Sequence, residues 1–192
     1  PISITGGIIV FPISYIINDC VCEVWGYRKT RMLIWLGFFM NFLFVVFAAI
    51  CDAIPGAPYW DNDAGFHAIF GLAPRITAAS FLAFVVGSFA NAYVMSRMKV
   101  SSQGRNFSLR AIMSTILGET ADSLIFFPLA LGGVVPNSEL PVLILSQIVL
   151  KTLYEILILP VTIQVVRFTK RHEGIDEYDK NINYNIFSIN NI

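Results

Sequence analysis

MLIWLGFFMNFLFVVFAAIC (residues 32–51) is a run of twenty residues without a charge. About 20 apolar residues in a helix cross the roughly 30 Å hydrocarbon core of a bilayer, so this stretch reads as a transmembrane span. Working outward, residues 1–18 and 76–96 are also charge-free. Residues 111–138 are apolar except for Glu119 and Asp122, and residues 140–166 except for Lys151 and Glu155. These five runs predict an all-α, polytopic membrane helix bundle. Gly6, Gly7 and Pro12 make the first span the one most prone to a kink.

Composition agrees. The chain has 192 residues, 56% hydrophobic and 14% charged, against about 25% charged in a soluble domain. So few charges could not cover a water-facing surface. The net charge is zero, which gives no argument for a nucleic-acid partner. Cys20, Cys22 and Cys51 form no disulfide framework, and Cys20-x-Cys22 reads as small apolar membrane residues rather than a metal site. No phosphate-binding loop, dinucleotide glycine fingerprint, zinc-protease motif or nucleophile elbow is present, so no cofactor and no soluble-enzyme chemistry are implied.

The loops alternate in charge. Arg28, Lys29 and Arg31 follow the first span, Arg97, Lys99, Arg105 and Arg110 the third, and Arg167, Lys170 and Arg171 the fifth. With Lys180, eleven of the thirteen basic residues fall on one side, leaving Arg75 and Lys151. The positive-inside rule makes that side cytoplasmic, with the present N-terminus outside and the C-terminus inside. The chain begins at Pro1 inside an apolar stretch, which reads as a truncation and predicts a sixth span upstream. Residues 1–172 then form one membrane domain, and the polar, Asn-rich residues 173–192 a disordered tail. In the long acidic loop, residues 66–70 are expected as a short helix at the outer headgroup level.

Ionisable residues inside a membrane mark substrate or ion pathways by default. Thr115, Glu119, Asp122 and Phe126 recur at helical spacing, as do Gln147, Lys151 and Glu155. A short loop joins the two helices, so all four ionisable groups are expected at one depth. Lys151 and Glu155 could simply pair along their own helix; the four groups together still carry a formal surplus of negative charge. Asn91 is placed to line the same cavity, and Phe126, Phe127 or Tyr154 to stack on a ring. Asp19 and Glu23 either answer Arg28, Lys29 or Arg31 at the interface or form a gate with them. Arg75 either snorkels to the outer headgroups or meets a carboxylate there. Ala79, Ala83 and Gly87 read as a packing stripe.

Four separated segments carry a family resemblance: FPISYIINDCVCEVWGYRKTR (11–31), PRITAASFLAF (74–84), LGETADSLIFF (117–127) and KTLYEILILP (151–160). In order and spacing they resemble the queuosine-precursor transporters, vitamin-uptake-like integral membrane proteins. The resemblance implies six helices, a fold similar to the substrate-binding subunits of energy-coupling-factor transporters, and import of a 7-deazaguanine base across a bacterial inner membrane. It departs at Ser88 and Asn91, where many members carry Gln and Asp. On it, Glu119 and Asp122 would accept the N–H and NH₂ of a guanine-like edge, with Lys151 or Gln147 donating to the purine carbonyl. A proton is the candidate coupling ion. Two other readings stay open: a vitamin-binding subunit that needs an ATP-driven partner, and a membrane-embedded enzyme with Asp19 and Glu23 at a metal.

Overall fold

The computed structural model describes residues 11–71 and 74–188. Five α-helices follow one another: α1 (Phe11–Ala53), α2 (Asp63–Phe70), α3 (Pro74–Ser101), α4 (Phe107–Leu131) and α5 (Leu140–Glu173). Among the described residues the only β-pairing is an isolated bridge, Gly132 to Val135.

The burial pattern is that of a lipid-solvated bundle. Leu157 is 77% exposed while Glu155, two residues earlier, is 1% exposed. Phe39, Phe44 and Phe47 likewise point outward, and the buried side chains include an unusual number of polar ones. With apolar tails as solvent, the polar groups turn inward.

Among the described residues four helical stretches are long and apolar enough to cross a membrane, where the sequence predicted five spans. The difference lies in α1, which takes in the first two expected spans as one 43-residue element; residues 1–10 of the first lie outside the described residues. At about 1.5 Å per residue, a straight helix of that length would be about twice the hydrocarbon thickness. It is not straight. Gly26 breaks it at φ 78°, ψ 177°, a conformation open to glycine and few others.

The two limbs meet α3 in opposite senses. Before the break, Asn18 reaches Ser88 and Asn91, and Cys22 then reaches Ala92. After it, Trp35 packs on Phe89 and Phe38 and Phe42 on Phe81. The chain therefore doubles back at Gly26.

Such a break leaves helix-end groups without partners, and the C-terminal segment supplies them. The Glu177 N–H donates to the Val24 carbonyl at 3.0 Å, and the Tyr27 N–H donates to Asp179 Oδ2 at 2.9 Å. A Cβ on Gly26 would lie 2.8 Å from Asp179 Oδ1. Further along, Arg31 donates to the Asn183 and Asn185 carbonyls and the Trp35 indole to that of Ile186. The Tyr184 ring lies between Tyr27 and Tyr93, tilted to the first and edge-on to the second. The tail expected to be disordered is, from residue 174 to 188, extended chain docked on α1 and α3. Its Tyr, Ile and acidic residues find a groove that no local pattern announces.

Helices α3 and α4 pack antiparallel through glycine. A Cβ on Gly87 would lie 3.0 Å from the Gly118 carbonyl oxygen, and one on Gly118 would lie 2.9 Å from that of Gly87. The expected small-residue stripe of Ala79, Ala83 and Gly87 is buried, as close backbone approach requires. At the opposite end from Gly26, α2 covers the expected short helix. Its Phe70 meets Phe44 of α1, and His67 pairs with Asp52 at 2.6 Å.

Candidate functional site

The first limb of α1, with α3, α4 and α5, encloses a column of buried polar side chains in three layers. The layer farthest from Gly26 joins α4 and α5. Helical periodicity places Thr115, Glu119 and Asp122 on the buried face of α4, and Gln147, Lys151 and Glu155 on that of α5. Lys151 Nζ donates to Glu119 Oε2 at 2.5 Å and lies 3.6 Å from Asp122 Oδ2. The alternative of a pair along α5 is overturned: Lys151 turns across to α4, and Glu155 Oε2 accepts the Thr115 hydroxyl at 2.6 Å. Two carboxylates attract an ammonium more strongly than one, and both lie on the facing helix.

The middle layer holds Asn18, Asp19, Asn91 and Glu155. Asn18 donates to the Asn91 carbonyl oxygen at 2.9 Å. The Asp19 side chain faces both Asn91 and Glu155, yet among the described residues neither of its oxygens has an assigned hydrogen-bond partner. Asn91 therefore lies inside the cluster.

The layer at the Gly26 end centres on Glu23. Arg110 grips its carboxylate with both terminal nitrogens, at 2.5 and 3.1 Å, and Lys170 adds a contact at 2.7 Å. Lys170 continues to Asp176 at 2.8 Å, and Lys99 reaches Asp176 at 2.7 Å and the Glu23 carbonyl. Burial would raise the Asp176 carboxyl, but Lys170 and Lys99 outweigh it and hold Asp176 below its usual range.

Both sequence readings of Asp19 and Glu23 need correction here. Arg28 and Lys29 are exposed and Arg31 is turned to the tail. Glu23 takes its cations from α4 and α5, which come close only in the folded bundle. Arg75 is also placed differently. Among the described residues it meets no carboxylate; its guanidinium caps the end of α4, donating to the Leu129 and Gly132 carbonyls at 2.5 and 2.6 Å. Those carbonyls are the orphan acceptors of a helix C-terminus.

Of the aromatic candidates, Phe126 is half-buried edge-on against buried Phe127, 5.4 Å between ring centres, and Tyr154 is half-buried. The ring that enters the cluster is Tyr15, 4% exposed, lying against Gly87 and Gly118 and facing Glu119, Asp122 and Asp19. The sequence reading missed it. The signal was present, since Tyr15, Asp19 and Glu23 recur at the four-residue spacing that exposed the α5 face.

The sequence model of a family described as "Putative vitamin uptake transporter" matches residues 5–165. A Bacillus subtilis (strain 168) protein named "Probable queuosine precursor transporter" is 24% identical over 159 residues, 81% of this chain and 69% of that protein. An Escherichia coli (strain K12) "Queuosine precursor transporter" is 28% identical over 138 residues, 68% of this chain and 58% of that protein. No solved structure matches.

Proposed function

The chain belongs to this vitamin-uptake transporter family, and from that premise we propose that it imports a queuosine precursor of the 7-deazaguanine type. The observation that carries the reading is the buried Glu119–Lys151–Asp122 cluster between α4 and α5. A membrane-spanning bundle of this family with charged groups at its centre has the means to hold a polar solute there. Two relatives named for queuosine-precursor transport support that cargo over an unrelated vitamin.

In this reading Glu119 and Asp122 accept hydrogen bonds from the guanine-like edge, and Lys151 or Gln147 donates to the purine carbonyl. Asn91 and Glu155 border the same hollow, and Phe126, Phe127 or Tyr154 flanks the ring. An aminomethyl group on the base would add positive charge beside two carboxylates that share one lysine. The two limbs of α1 cross the bilayer separately, so this chain contributes five crossings. The Gly26 end, where Arg110, Lys99 and Lys170 gather, faces the cytoplasm of a bacterial inner membrane.

Binding of radiolabelled deazaguanine bases, guanine and common vitamins to purified protein tests the proposal. Saturable binding of the deazaguanine base, weakened at least tenfold in Glu119→Ala and Asp122→Ala, is expected. Undiminished binding in both variants would remove these residues from the site, and selective binding of a vitamin would replace the cargo.

A further inference from the structure

The cations of the bundle are unevenly distributed over its acids. Lys151 goes to Glu119 and Asp122, Arg110 and Lys170 to Glu23, and Lys99 to Asp176. Arg31 and Arg75 bind backbone carbonyls. None of these ion pairs reaches Asp19 or Glu155, which face each other from α1 and α5.

Asp19 is 0% and Glu155 1% exposed. Both oxygens of Asp19 and Oε1 of Glu155 have no hydrogen-bond partner among the described residues. Asn91 of α3, also wholly buried, is turned toward Asp19 with its Nδ2 likewise unmatched. The titratable neighbours are Tyr15, Cys20, Cys22 and Glu23 on α1 and Glu119 on α4. From α3 the neighbour is neutral Asn91. All of these are neutral or acidic; the nearest cation on α5, Lys151 one turn from Glu155, is turned to Glu119 and Asp122. Two carboxylates sharing such a site cannot both be ionised, and unmatched oxygens there are costly.

We propose that Asp19 and Glu155 hold one proton between them, and that this proton is the coupling ion for transport. The O–H of one carboxyl donates to an oxygen of the other, and the Asn91 amide donates to the oxygen that remains. Among the described residues no group of three or more His, Cys, Asp or Glu is placed to hold a metal ion, whereas a proton needs only the two. Its loss to one side of the membrane and recovery from the other changes no bond but O–H. Because Glu155 also borders the Lys151 layer through Thr115, loss of the proton changes the charge presented to the cargo. The coupling role rests on the transporter reading; the shared proton does not.

Two measurements separate these parts. Infrared spectra of reconstituted protein at neutral pH should show a protonated carboxyl C=O band that shifts in D₂O. It should be absent in both Asp19→Asn and Glu155→Gln, and kept in Asp176→Asn, which lies outside the cluster. No such band, or one that survives both substitutions, overturns the shared proton. In proteoliposomes, an imposed inward proton gradient should concentrate radiolabelled aminomethyl-deazaguanine in the wild type. Asp19→Asn should abolish that accumulation while leaving exchange across the membrane independent of pH. Gradient-driven accumulation that persists in Asp19→Asn overturns the coupling. Absence of any exchange by the wild type overturns the transporter reading and the coupling with it, and the infrared band still decides the proton.

Discussion

The Lys151 ammonium lies 2.5 Å from Glu119 Oε2 on the neighbouring helix, and Glu155, one turn along its own helix, is left to a threonine hydroxyl. The lysine thus serves two α4 carboxylates, at 2.5 and 3.6 Å, and joins α4 to α5 through charge.

Removing that cation should be costly. Lys151→Met leaves Glu119 and Asp122 buried together, and breaking a buried pair from one side costs about 3–5 kcal/mol. Thermal unfolding in detergent should show a marked loss for Lys151→Met, partly recovered when Glu119→Gln is added. Equal melting of the single and double variants would deny the pairing.

The Gly26 end separates decorative from structural basic residues. Arg110→Ala leaves Glu23, which is 2% exposed, to Lys170 alone, and should destabilise by up to about 3–5 kcal/mol. Arg28→Ala, on an exposed side chain, should stay within about 0.5 kcal/mol. Melting curves of the two variants side by side give the comparison.

At the α3–α4 crossing, Gly118→Ala places a methyl 2.8 Å from Asn91 Cβ and 2.9 Å from the Gly87 carbonyl. The helices must part, at a cost of about 1–3 kcal/mol. Gly133→Ala meets no such contact, although its φ of 80° also strains any side chain. Cross-linking of cysteines placed along α3 and α4 should weaken in Gly118→Ala alone.

Asp179 acts as a cap on the second limb of α1. Asp179→Ala should cost about 0.5–2 kcal/mol, the range for a lost N-cap. Faster hydrogen exchange should appear at Tyr27 and its neighbours and along residues 176–187. Exchange confined to the tail would show that the limb does not depend on it.

The tail should loosen in acid. Asp176 has its carboxyl held below the ordinary value by Lys170 and Lys99, against the upward push of burial. A depressed folded value adds stability above the unfolded pKa of about 3.9 and loses it as pH falls through the folded value. Tail protection measured by hydrogen exchange should therefore be full at neutral pH and fall below about pH 4. Asp176→Asn should flatten that dependence.

Much of the bundle could be read directly. Charge-free runs placed α3, α4 and α5 to within about seven residues at each end, and the four-residue recurrence found the inward faces bearing Glu119 and Lys151. Less legible was anything that depends on a partner from a distant segment. Arg110 and Lys170 look like loop charges in a positive-inside count, yet one buried carboxylate draws both inward. Arg75 looks like a headgroup anchor, yet it caps a helix end more than fifty residues away in sequence. The tail looks like polar excess, yet its backbone and carboxylates complete a helix break that only Gly26 permits.

The sequence by itself determined that this chain lives in lipid, where α3, α4 and α5 lie and which faces of α4 and α5 turn inward. Those follow from the cost of placing charge in hydrocarbon, a penalty each helix incurs on its own. Which acid meets which base was decided by the tertiary structure alone. Pairing depends on the register between helices, set here by the glycine contact of α3 with α4 and the reversal at Gly26. No single segment carries that register.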